Sequence, residues 1–362
     1  MSADPDPPAP PARPRRRVRY AGTHPRTFGE KYKERDPQRF PETVQKVLAS
    51  GKTPAGAHVP ILVAEILAVL KPRPGEVAVD ATLGHGGHAE ALVPLLLPGG
   101  RLIGLDVDPL ELPRAEARLR AAGLPEAAFT TRRMNFAELP RLLADEGLAG
   151  VDLVLADLGV SSMQLDDPAR GFTFKREGPL DLRMNPEQGA SAERLLARIP
   201  RGALEEALAE LADEPRAREI AAAIVAARSR GPIRTTTQLA NAVRGVLATF
   251  SPREQREQGD LPIRRTFQAV RILVNDEMPA LDAFLAALPG CLNPGGRAAI
   301  LSFHSGEDRR VKKAFRAALA QGLYAEVAPD VVRAGDAERR DNPRSSSAKL
   351  RWAVRSARPA PL

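Results

Sequence analysis

Three acids close apolar runs in this sequence, and a histidine follows a glycine loop. Asp80 ends Val77-Ala78-Val79, Asp106 ends Leu102-Ile103-Gly104-Leu105, Asp157 ends Val151 to Ala156, and His88 follows Gly84-His85-Gly86-Gly87. Glycines at 84, 86 and 87 let the backbone take positive φ and approach a ligand with no Cβ in the way. The helix that follows offers free N–H groups and a positive dipole end to an anionic group. A glycine turn alone can simply close a tight connection, but Asp106 stands where a Rossmann-type unit holds ribose hydroxyls. Gly86, Gly87, His88 and Asp106 together predict an adenosine-containing cofactor.

These residues need a parallel sheet to position them. Ile61, Leu62, Ile66, Leu67 and Leu70 have helical spacing, and Pro72 to Gly75 ends the pattern. Strands are expected at Val77 to Asp80, Leu102 to Asp106, Ala128 to Thr131 and Val151 to Asp157, with helices from about His88 and from Asp108-Pro109. The fourth run is nearly all apolar, as in strands buried on both faces. This alternation implies right-handed βαβ units and one mostly parallel sheet, hence an α/β fold.

From Asp166 to about Arg264 the rhythm becomes helical throughout, with Leu204, Leu208 and Leu211 on one face and Ile220, Ile224 and Ala227 on another. Ser251 to Asp260 reads as a polar loop. Helices are expected at Thr266 to Val274 and Glu277 to Leu288, a turn at Pro294-Gly295-Gly296, and a strand at Arg297 to Phe303. Tyr324 to Ala328 and Lys349 to Val354 can pair as a last hairpin. The expected organisation is a basic, Pro-rich arm over 1–57, a first sheet part over 58–166, a helical insertion over 167–264 and a second sheet part over 265–362.

Net charge is +8 over 362 residues, and 12 Lys and Arg against 6 Asp and Glu lie in the first 57, so the basicity is mostly that of the arm. Such an arm suits nucleic acid phosphate or is a solvated tail. Cys291 is the single cysteine, which excludes an internal disulfide framework and fits a reducing compartment. The longest apolar runs fall short of the roughly 20 residues of a membrane helix, and no signal-peptide pattern is present. A cytoplasmic location is expected.

In an open parallel sheet, ligands collect beyond the carboxyl ends of the strands. Asp157 should therefore face the cofactor's reactive end, although an acid there can also cap a helix or brace a loop. His85 and His88 have a metal pair's spacing but no third ligand nearby, so no metal is expected. His304, in Phe303-His304-Ser305, either faces substrate or makes structural hydrogen bonds.

Asp80-x-Thr-x-Gly-x-Gly-Gly-His88, Asp157-Leu-Gly-Val-Ser-Ser162, Gln164-Leu-Asp166, Arg170-Gly-Phe-x-Phe174, Gly178-Pro-Leu-Asp-x-Arg-Met184, Arg265-Thr-Phe-Gln-Ala-Val-Arg-Ile272, Ser302-Phe-His-Ser305 and Asn342-Pro-Arg344 occur in this order. From about His58 to Arg355 they resemble the bacterial 16S rRNA cytosine-N4 methyltransferase family. The resemblance implies S-adenosylmethionine as cofactor, a class I methyltransferase fold with a seven-stranded sheet and a helical insertion, and a cytidine in the decoding region of 16S rRNA as substrate. By matching motif it implies that Gly86, Gly87 and His88 are cofactor-loop contacts, Asp106 the ribose acid, Phe136 an adenine-side contact, and Asp157 and Gln164 further cofactor contacts. Gly306, Ser346 and Met163 depart from the residues usual in that family, where Leu, Arg and Pro are frequent. The first 57 residues fall outside these motifs.

Cytosine's exocyclic amine is a poor nucleophile, and an acceptor for its N–H localises the lone pair. Asp157 is the candidate for that role, or it binds only the cofactor's methionine amine. The base must be unstacked, which calls for aromatic or Arg planes and phosphate contacts. Phe172, Phe174, Arg264, Arg265 and Arg271 are candidates for substrate, the phenylalanines alternatively for interface core. The expected partner is 16S rRNA, within the small ribosomal subunit. A homodimer is left open. Without the resemblance, a nicotinamide-dependent dehydrogenase and a catalytically silent RNA-binding protein remain; the first is disfavoured because its first glycine should sit directly at the strand end.

Overall fold

A computed structural model describes residues 60–357. The arm over 1–57, with the short helix expected near Thr43 to Ala49, lies outside the described residues.

Seven strands form one sheet: β1 (Val77–Asp80), β2 (Arg101–Asp106), β3 (Phe129–Arg133), β4 (Val151–Asp157), β5 (Leu292–Ser302), β6 (Tyr324–Val327) and β7 (Lys349–Arg355). Their order is β3-β2-β1-β4-β5-β7-β6, parallel from β1 to β5. The last two strands do pair antiparallel, but β7 inserts between β5 and β6 and also pairs with β5. The chain crosses from edge strand β3 back to β4 beside β1, so the loops after β1 and β4 leave in opposite directions. A crevice opens between them.

The helices run in chain order as α1 (Val63–Leu70), α2 (Gly87–Leu96), α3 (Glu111–Ala121), α4 (Leu139–Asp145) and α5 (Ser162–Asp166). Next come α6 (Ala192–Arg198), α7 (Arg201–Ala212), α8 (Ala217–Arg230), α9 (Thr236–Leu247), α10 (Pro252–Gln258) and α11 (Leu261–Val274). The set closes with α12 (Glu277–Cys291), α13 (Ser305–Ala320) and α14 (Asp336–Asp341).

Strand β4 shows why its sequence is apolar throughout. Leu153 and Leu155 enter a core with Ile66, Leu92, Leu96 and Leu119 from α1, α2 and α3. Val154 and Ala156 enter the opposite core with Leu139, Leu142, Phe284, Val311 and Phe315 from α4, α12 and α13. Alternate residues of a strand point to opposite faces, so a sheet covered on both sides needs both sets apolar. Each fully buried Leu or Val contributes about 1.5–3 kcal/mol.

Between β4 and β5 a third cluster gathers residues from Phe172 to Val270, including Leu204, Leu208, Ile220, Ile224, Leu239, Val243 and Phe267. Two sequence expectations change. Ser251 to Asp260 is not a loop: Ser251 caps α10, its hydroxyl accepting from the Glu254 amide while the Glu254 carboxylate accepts from the Ser251 amide. That reciprocal cap offsets a polar sequence. Pro294-Gly295-Gly296 does not turn away but lies within β5, where the pairing with β4 shifts register. Sixteen-residue α13 has a broad polar face that hid its buried stripe of Val311, Phe315 and Ala318.

Candidate active site

The glycine loop is fixed from two sides. Gly86 has φ of 82°, and a Cβ there would meet Leu119 Cδ1 at 2.6 Å. Arg118 donates from Nε and Nη2 to the His85 carbonyl, at 3.0 and 2.8 Å, and from Nη1 to Glu90. The loop also donates to Asp106: the Gly84 amide reaches Oδ2 at 2.8 Å, and the Asp108 amide reaches Oδ1 at 2.9 Å. Burial raises the Asp106 carboxyl to about 6, against the pull of these backbone donors. Asp80, fully buried at the end of β1, is likewise raised to about 6 by burial, with His88 drawing it down.

His88 lies 3.5 Å from Asp157 Oδ2 through Nε2, an electrostatic contact rather than a formed hydrogen bond. Burial lowers its proton affinity, but Asp157 and Asp80 outweigh that and hold the imidazole above its usual range. The backbone amide of Asp157 donates to Thr82 Oγ1, tying β4 to the glycine loop. Its Oδ1 is buried without a hydrogen-bond partner among the described residues.

The glycine loop, His88, Asp106 and Asp157 line one cavity of about 1310 Å³, which also takes in Phe136, Gln164, Arg271, Glu277, His304 and Glu307. Pockets that hold one drug-sized molecule are about 300–1,000 Å³, so there is room for a cofactor and a second group. Phe136 stacks edge-on against Phe284 with ring centres 5.4 Å apart. Gln164 is already engaged: Nε2 donates to Asp108 at 2.8 Å, and Oε1 accepts from the Ser161 amide. It braces the loop after β4. Asp108 also takes Arg170 Nη1 at 2.7 Å, and Arg170 reaches the Arg183 and Met184 carbonyls.

At the other end of the cavity, Arg271 grips Glu277 with two bonds of 2.7 and 2.8 Å. His304 caps α13 and accepts from the Glu307 amide at Nδ1, while buried Glu307 accepts from the Phe303 and His304 amides. Despite burial, His304 and Arg271 keep the Glu307 carboxyl below its usual range. A segment between β6 and β7 crosses the rim: Glu338 accepts from the Leu62 amide, and Arg344 contacts Ser162 and Asp166.

The structure therefore gathers Gly86, Gly87, His88, Asp106, Phe136, Asp157, Gln164 and His304 around one cavity. It does not bring Phe172, Phe174, Arg264 or Arg265 there. Phe172 is buried in the third cluster, Phe174 packs 5.6 Å from Phe267, Arg264 is exposed, and Arg265 lies 3.7 Å from buried Glu214. Phe172 takes the alternative reading, as core, and a ring held in a core is not offered to a ligand, whereas Phe174 is half-buried against that cluster. Glu277 and Glu307 were missed, and Arg271 was noted only as a flank. The signal for Arg271 was the helical spacing of polar residues Gln268, Arg271 and Asn275, the last just past the end of α11.

A doubly covered, mostly parallel seven-stranded sheet with a glycine loop after β1 and an acid after β2 defines a class I S-adenosylmethionine-dependent methyltransferase. The chain belongs to the MraW methylase family, whose model matches residues 55–356. It is 48% identical over 343 residues to "Ribosomal RNA small subunit methyltransferase H 1" of Lachnoclostridium phytofermentans, covering 94% of this chain and 93% of that one. To "Ribosomal RNA small subunit methyltransferase H 2" of Alkaliphilus metalliredigens it is 47% identical, covering 94% and 97%. The Halorhodospira halophila "Ribosomal RNA small subunit methyltransferase H" is 46% identical and covers 85% of this chain and 97% of its own length.

Coverage of 94% leaves only about 22 of 362 residues outside the first two alignments. The bounds of the family model agree with a resemblance running from about His58 to Arg355, and the alignments to these two relatives extend further into the preceding residues.

Proposed function

We propose that this protein methylates the N4 amine of a cytidine in the decoding region of 16S rRNA, in the cytoplasm and on the small ribosomal subunit. Methylation of small-subunit rRNA is what the names of its relatives support. The finer reading rests on one observation: Asp157, at the end of β4 and 21% exposed, lines a cavity with room beyond the cofactor loop.

The residues fit the cofactor. Gly86 and Gly87 let the cofactor loop pack tightly against Leu119 and Pro60, Asp106 is aimed to accept from ribose hydroxyls, and Phe136 offers an apolar edge to an adenine. When bound, S-adenosylmethionine supplies an electrophilic methyl group on a sulfonium. Asp157 then accepts an N–H of the acceptor amine, localises its lone pair along the line of attack and takes the proton released when the N–C bond forms. His88, 3.5 Å away, stabilises the Asp157 carboxylate. Gln164 positions Asp157's loop rather than touching the reacting atoms. The insertion over 167–264, with exposed Arg264 and nearby Arg265, is assigned to rRNA phosphate contacts.

The test is methyl transfer from labelled S-adenosylmethionine to small subunits from cells lacking this protein, with nucleoside analysis of the product. N4-methylcytidine is the expected product, and label in another nucleoside overturns the reading. Asp157→Asn is expected to lose turnover, by about 100-fold or more, with cofactor affinity retained; parallel loss of both assigns Asp157 to cofactor binding alone.

A further inference from the structure

We propose that the outer face of α13 is a docking surface for rRNA phosphate, a row of cations that holds the strand leading out of the cavity. This rests on small-subunit rRNA being the substrate, and not on which base is methylated.

Arg309, Lys312, Lys313 and Arg316 are all exposed and recur at i, i+3, i+4 and i+7, so they form one stripe along the helix. Glu307 and Asp308 are the only acids in α13, both in its first turn and both already engaged. Glu307 holds the Phe303 and His304 amides, and Asp308 takes Arg351 at 2.6 Å. From Arg309 to Ala320 there are five cations and no acid. Arg310 lies off the stripe and pairs with Asp282 of α12 at 3.3 Å. Arg309 approaches Asp213 only to 3.8 Å, with its side chain 68% exposed. Lys312, Lys313 and Arg316 form no ion pair among the described residues.

The helix itself does not account for this row. Like charges three and four residues apart repel, and a cation gains from the helix dipole only in the last turn, where α13 has none. Uncompensated, one-sided charge of this kind attracts an outside polyanion.

The stripe also leads from the site. Helix α13 starts at Ser305, one residue after His304 at the cavity wall, and the Ser305 hydroxyl bonds to Asp213 at the end of α7. At about 1.5 Å of rise per residue, the four cations lie from about 6 to about 17 Å along the axis from Ser305. An RNA strand carries a phosphate at every nucleotide, so the nucleotides flanking a target base in the cavity can lie along this row. Contacts to phosphate position the strand without reading its sequence.

The test follows binding and methylation of small subunits from cells lacking this protein, by the full-length protein, across a potassium chloride series. The triple variant Lys312→Gln, Lys313→Gln, Arg316→Gln should raise KM for the subunit by more than about tenfold at about 0.1 M salt. Its log–log dependence of affinity on salt should be shallower by about 2–3. Turnover at saturating subunits and affinity for S-adenosylmethionine should stay within about twofold. The charge-keeping variant Lys312→Arg, Lys313→Arg, Arg316→Lys should match the unaltered protein in KM and in slope. Unchanged KM and slope in the glutamine variant overturn the inference, as does a charge-keeping variant that binds no better than it. Weaker binding at an unchanged slope overturns it too, and assigns the face to a ribosomal protein; kcat or cofactor affinity lost in step with KM assigns the cations to the fold instead. An unaltered protein that neither binds nor methylates the subunit overturns the substrate reading and the inference with it.

Discussion

The backbone amide of Gly84 donates to Asp106 Oδ2 at 2.8 Å, so the loop after β1 and the acid after β2 form one unit. Burial has raised Asp106 to about 6. An acid with a raised midpoint is protonated over a wider acidic range, and a protonated carboxyl is a poorer acceptor for two ribose hydroxyls. Cofactor affinity should therefore weaken as pH falls from 8 through about 6, read by calorimetric titration. Asp106→Asn should bind weakly and with little of this pH dependence. A flat affinity profile in the unaltered protein would remove Asp106 from the ribose contact.

Asp80 makes the opposite kind of prediction, one about stability. Its midpoint is about 6 rather than 3.8 because it is buried, so the folded chain holds a proton that the unfolded chain gives up across that window. Its contribution to stability is present below 3.8 and is lost as pH rises through about 6. Asp80→Asn removes a buried carboxylate and keeps the acceptor for the Thr82 amide, which Oδ1 serves at 3.2 Å. The cofactor-free variant should gain about 1–3 kcal/mol in denaturant unfolding at pH 8 and less at pH 5. Destabilisation at pH 8 would show that His88 more than offsets the burial.

Glycines separate by surroundings. Gly86→Ala must place a Cβ 2.6 Å from Leu119 Cδ1 at a φ of 82°, and should cost about 1–3 kcal/mol together with cofactor affinity. Gly245, exposed within α9, would meet nothing within 4 Å. Gly245→Ala should stabilise by about 0.5–1 kcal/mol. Thermal unfolding of the pair checks both signs at once.

The Arg170–Asp108 ion pair, at 2.7 Å and almost wholly buried, joins the loop after β2 to the start of the helical layer. Removing one partner leaves an uncompensated charge, so Arg170→Met should cost about 3–5 kcal/mol. Arg170→Met with Asp108→Asn should recover part of that loss. Strict additivity in a double-mutant cycle would show that the two do not act as a pair.

Much of this protein was legible before folding was considered. Strand periodicity, the glycines and the terminal acids place β1, β2, β4, Asp106 and Asp157, because these signals are local: one residue type at one offset has one backbone consequence. Ser251 to Asp260 reads as a loop because its polarity outweighs its capping box, and α13 carries no legible signal because its buried stripe is narrow. Tertiary structure alone decided what contacts are made across long gaps in sequence. Gln164 became a brace because Asp108, 56 residues earlier, takes its amide. Phe172 became core, with Phe174 half-buried against it, because the helical layer needed apolar volume there. Asp157 and His304, 147 positions apart in the chain, meet one cavity because β4 and β5 are neighbours in the sheet. Periodicity fixes which way a side chain points from its own element; strand order determines what it faces.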